Sequence, residues 1–131
     1  LGIFDLTVKT DLFDRYNGKV LASLAGKDAE KAGTITGYRS QFSRWYGDNS
    51  SNAFLKVKRG MGINKDTSLE GVRLNNLICT AVIGPILPIN PLFTEYLISL
   101  AGETAEAAHK EAAMLAWKQR VSEMEDPATK F

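Results

Sequence analysis

Apolar side chains recur every third or fourth position along much of the chain. Leu12, Phe13, Tyr16, Val20, Leu21 and Leu24 follow this spacing, with Thr10 or Asp11 at the N-cap position and Gly26 at the stop. Ala32, Ile35, Tyr38, Phe42 and Trp45 make a second stripe, opened by Asp28 and closed by Gly47. Thr67-Ser68-Leu69-Glu70 reads as a capping box that starts a third helix, and Gly84-Pro85 breaks that helix. Asn90-Pro91 opens a fourth, with Gly102 placed to bend or divide it and Asp126-Pro127 to end it. The pattern predicts an all-α fold, an up-down-up-down four-helix bundle formed by residues 1–131 as a single helical domain.

Three segments fall outside the four helices. Residues 1–9 read as an extended arm whose Ile3, Phe4, Leu6 and Val8 can pack on a neighbour. Residues 47–66 read as an ordered basic loop between helices 2 and 3, and residues 126–131 as a tail. Within the loop, Leu55 and Val57 alternate with Lys56 and Lys58, which hints at a strand. No clear partner strand follows, so a loop is expected. Gly33 and Gly37 weaken the second helix and are expected to allow close approach of another helix.

With 131 residues and 44% apolar content, the chain can bury one core without disulfides or metals as staples. The net charge of +1 gives no global attraction to polyanions. Locally the balance differs. Positions 39–73 carry seven Lys and Arg against three acids, and the remainder is correspondingly acidic. The chain opens on Leu1 rather than Met, which fits either a removed targeting segment or a cut boundary.

Candidate chemistry is sparse. His109 stands in Glu106-Ala107-Ala108-His109, the spacing of di-iron ligands on bundle helices, but one histidine cannot complete such a site within one copy. Cys79 sits among Leu77, Ile78 and Ala81 with no local cation to stabilise a thiolate. Neither GxGxxG nor GK[ST] occurs. No catalytic, cofactor-binding or metal-binding residue is assigned, no cofactor is expected, and the chain is read as a binding protein rather than an enzyme. Its candidate partner-binding residues are Lys56, Lys58 and Arg59 in the loop, with Arg39 and Arg44 behind them. Tyr38, Phe42 and Trp45 are expected to face the core. Such a patch suits an acidic protein surface better than nucleic acid, because the net charge is near zero, and a solvated basic edge with no partner is the other reading.

The four-helix layout with its basic surface, including Tyr38-Arg39-Ser40-Gln41-Phe42-Ser43-Arg44-Trp45-Tyr46, resembles the PsbQ-like extrinsic subunits of photosystem II, especially the algal and diatom forms. The resemblance implies a non-catalytic accessory subunit in the chloroplast thylakoid lumen, peripheral to the membrane. Its partners would be the photosystem II core and other extrinsic subunits. It would support oxygen evolution by stabilising the manganese-calcium-chloride site. The alternative is a helical binding or structural module that uses its basic loop on an acidic protein or nucleic-acid partner.

Overall fold

The computed structural model describes residues 2–131 and is mostly β. It has eight strands and three helices among the described residues, and every strand pair is antiparallel. Strands β2 (Tyr16–Leu24), β3 (Ile35–Gln41), β5 (Leu55–Arg59) and β6 (Leu69–Glu70) form a four-stranded sheet in the order β3-β2-β5-β6. β1 (Thr7–Thr10) pairs with β4 (Ser43–Tyr46), and β7 (Val72–Leu74) pairs with β8 (Leu77–Cys79). The helices are α1 (Ala29–Ala32), α2 (Pro91–Leu100) and α3 (Lys110–Glu125).

The four-helix bundle is therefore overturned. The first two expected helices are a long hairpin, in which Tyr16 faces Gln41 and Ala22 faces Ile35. Val20, Ala22 and Leu24 recur every second residue and all enter the core with Leu55 and Val57. A spacing of two also contains a spacing of four, so short apolar runs satisfy both periods. The third expected helix is β6, β7 and β8. Its supposed capping box is a strand entry, where Thr67 Oγ1 accepts from the Leu69 amide at 3.0 Å. The basic loop is also corrected: its residues 55–59 are β5, an interior strand between β2 and β6. Strand β6 follows at Leu69, beyond the segment read as loop.

The fourth helix exists in two pieces. Gly102, at φ +82°, lies in the break, and α3 ends before Asp126. On α2, Phe93 and Tyr96 enter the core, and the Phe93 ring meets Phe54 at 5.9 Å between centroids. Two of the bonds that tie helix α3 to the rest of the chain reach the segments around β3 and α2. Trp117 Nε1 donates to the Thr34 carbonyl at 2.9 Å and Arg120 to the Ile89 carbonyl at 3.0 Å.

The outer edge of β3 is closed by side chain and loop rather than by another strand. Tyr38 exchanges two backbone bonds with Ile83, at 2.9 and 2.8 Å. Two residues earlier, the Asn90 carboxamide accepts from the Thr36 amide and donates to the Thr36 carbonyl, each at 2.8 Å. An unpaired edge row of N–H and C=O groups invites association, and these contacts satisfy the row at Thr36 and Tyr38. Gly37 sits between them. A Cβ there would overlap Val82 Cγ1, so the close approach is of a loop to a strand and not of one helix to another.

Candidate functional site

The five basic positions do not share one surface. Arg39 and Arg44 are 1% and 6% exposed, whereas Tyr38 and Phe42 are 40% and 37% exposed. The expected orientation of this segment is thus reversed. On β3 the alternation turns Arg39 inward, and the chain leaves the strand at Phe42 before Arg44 turns inward again on β4.

Arg39 is part of a buried polar centre. Its Nη1 donates to the carbonyls of Met61 (2.8 Å) and Gly62, pinning the turn that follows β5. Glu70, fully buried, accepts from the Thr80 hydroxyl at 2.7 Å and the Ala81 amide at 2.9 Å. Burial pushes the Glu70 carboxyl above its ordinary range, against the opposing pull of those two bonds and of the Arg39 charge. Burial likewise lowers Arg39, and Glu70 opposes that shift. Arg44 bonds the Asp14 carbonyl at 3.1 Å and pairs with its carboxylate at 3.2 Å.

Arg59 is consumed by the chain's own end. It donates to the carbonyls of Met124 (2.7 Å), Asp126 (2.6 Å) and Thr129 (2.7 Å), and its guanidinium lies 4.2 Å from the Phe131 ring centroid. The planar guanidinium fork suits three such acceptors, where a lysine would not.

Lys56 and Lys58 remain exposed. They stand on the face of β5 opposite Leu55 and Val57. Lys19, on β2 between buried Gly18 and Val20, projects from the same side of the sheet. It also lines a cavity of about 460 Å³ with Tyr38, Arg120 and Glu123. Lys19 carried no signal in the sequence beyond a lysine on an expected helix.

The two nucleophile and base candidates lie apart. Cys79 borders an apolar groove with Ile3, Phe4, Leu6, Val8, Trp45 and Val72. The arm residues expected to pack on a neighbour thus line a groove with Trp45 and Cys79, and β1 in the same stretch pairs with β4. His109 is exposed at the start of α3 with φ +52°. Among the described residues no cluster of three His, Cys, Asp or Glu side chains is placed to hold a metal ion. No helix among them is long and apolar enough to cross a membrane.

No family model matches the chain. Over 103 residues, 79% of its length, it is 32% identical to subunit GatD of the lipid II isoglutaminyl synthase (glutamine-hydrolyzing) of Staphylococcus aureus (strain N315). The photosystem II resemblance is overturned with the helical bundle that carried it. Neither the fold nor this relative points to oxygen evolution or to photosystem II partners, and the helical-module alternative falls with the bundle. The chain spans 39% of the length of the curated relative it matches.

Proposed function

We propose that this chain supplies a non-catalytic, sheet-built part of a GatD-like subunit in a glutamine-hydrolysing synthase. The observation that carries the reading is the 32% identity sustained over 103 residues. The match takes in 79% of the chain.

Hydrolysis of a glutamine side chain is an acyl transfer. It needs a nucleophile within hydrogen-bond reach of a base, and donors aimed at the developing oxyanion. Among the described residues no hydrogen bond joins Cys79 to His109, and His109 does not line the apolar groove that Cys79 borders. The share of the work we assign to these residues is therefore scaffold and assembly. The Arg39–Glu70 centre fixes the sheet to the loop at Thr80 and Ala81, and the Arg59 clamp fixes the end of α3.

Co-purification with the other components of the S. aureus synthase tests this. Stable association of the folded chain with them, in competition with full-length GatD, is the expected result. A folded chain that neither associates nor competes would contradict the reading.

A further inference from the structure

We propose that the outer edge of β1 pairs with the same edge of a second copy of this chain, antiparallel and in register about Thr7. The inner edge of β1 is taken by β4, with Val8 opposite Trp45, and the Asp11 amide continues the ladder to the Phe42 carbonyl at 3.0 Å. The alternation of an antiparallel ladder fixes where each backbone group points. Trp45 turns its N–H away from β1, to the Ile63 carbonyl at 3.1 Å. Val8, opposite it, therefore turns its own N–H and C=O away from β4, and Thr10 points the same way. Neither has a backbone partner on that side among the described residues, and all four residues of β1 are exposed. The β3 edge is covered at Thr36 and Tyr38, whereas the β1 edge is a free template for another strand.

The residues along this edge select its occupant. In Asp5-Leu6-Thr7-Val8-Lys9, apolar residues flank Thr7 and opposite charges lie beyond them. Antiparallel pairing about Thr7 sets Lys9 of each copy opposite Asp5 of the other, and Leu6 of each opposite Val8 of the other. Every match occurs twice, as a two-fold axis requires. Side chains directly opposite stand about 5 Å apart across a ladder. Within one copy Asp5 and Lys9 are four positions apart, roughly 13 Å on extended chain, too far to neutralise each other. Neither makes an ion pair among the described residues, and Lys9 lies over the Tyr46 ring at 4.9 Å.

Neighbouring registers lose the match. Pairing about Val8 sets Asp5 against Asp11, and pairing about Leu6 sets Asp5 against Thr7 and Lys9 against Ile3. A wholly acidic or wholly basic segment would satisfy one of the two charges and oppose the other, whereas a second copy satisfies both. Leu6 and Val8 also border the apolar groove with Trp45, Val72 and Cys79, so pairing about Thr7 brings the two grooves side by side. Self-pairing is independent of the synthase reading, and its test contains no synthase component.

Sedimentation equilibrium of the whole chain under reducing conditions tests the pairing. The parent should dimerise, more weakly as salt is added. Lys9→Asp and Asp5→Lys each turn two attractive pairs into two repulsive ones, and each should weaken dimerisation roughly tenfold. The double variant D5K/K9D restores both pairs and should dimerise as the parent does. An equimolar mixture of the two single variants should also dimerise, because each supplies the charges that the other lacks. Both positions are exposed, so the monomer fold should persist, and circular dichroism checks this. A parent that stays monomeric, or single variants that dimerise as the parent does, would overturn the proposal. A loss that the double variant or the mixture fails to repair would overturn it too.

Discussion

Asn90 serves Thr36 as a neighbouring strand would, accepting from its amide and donating to its carbonyl at 2.8 Å each. Its second N–H goes to the Ile86 carbonyl at 2.7 Å, so the carboxamide makes no helix cap. We predict that Asn90→Ala destabilises the protein by about 2–4 kcal/mol, because two buried backbone groups lose their partners. Asn90→Asp should not restore stability, since a carboxylate cannot donate to Thr36 or Ile86. Urea unfolding measures both, and parental stability in Asn90→Ala would remove this edge closure from the account.

Arg59 is expected to hold residues 126–131 against the sheet. Arg59→Lys keeps the charge and loses the fork, so it should release the tail nearly as fully as Arg59→Ala. Cleavage by trypsin after Lys130 should accelerate in both variants. Unchanged cleavage in both would mean that packing of Phe131 alone secures the tail.

The Glu70 carboxyl is pushed upward by burial, which fixes the sign of a pH effect. A group whose folded value lies above its unfolded value favours the fold while protonated. That contribution is complete below the ordinary carboxyl value of 4.5 and is lost as pH rises through the raised folded value. Glu70→Gln removes this titration, so its stability relative to the parent should increase as pH rises from acid toward neutral. A constant difference between the two across that range would show that Glu70 has no raised value.

Gly37→Ala should cost about 1–3 kcal/mol through overlap with Val82. It should also speed amide exchange at Tyr38 and Ile83, whose mutual bonds lie beside the clash. Exchange rates equal to the parent's would show that the loop yields without losing those bonds.

The sequence carried the punctuation of the fold better than its periods. Asn90-Pro91 does start a helix, Gly102 does lie in a break, and Asp126 does follow the last helical residue. The strands are not legible as strands because an apolar spacing of two also satisfies a spacing of four and because their burial is set by tertiary partners. Tyr38, Phe42 and Trp45 fit a helical stripe, yet Tyr38 and Phe42 face outward while the charged Arg39 and Arg44 turn inward. Carbonyls of distant loops at Met61, Gly62 and Asp14, together with the Asp14 carboxylate, offset the cost of those burials. Lys56 and Lys58 were legible as exposed cations because their alternation with Leu55 and Val57 is local. Arg59 was not, because its partners lie more than sixty positions away.

The most direct test of the proposed role is an exchange. The segment of S. aureus GatD that matches this chain is replaced by the chain's own 103 residues, and glutamine-dependent amidation of lipid II is measured on the reassembled synthase. A folded chimera that assembles and retains amidation is the predicted result. A chimera that folds but is excluded from the synthase would contradict the assignment.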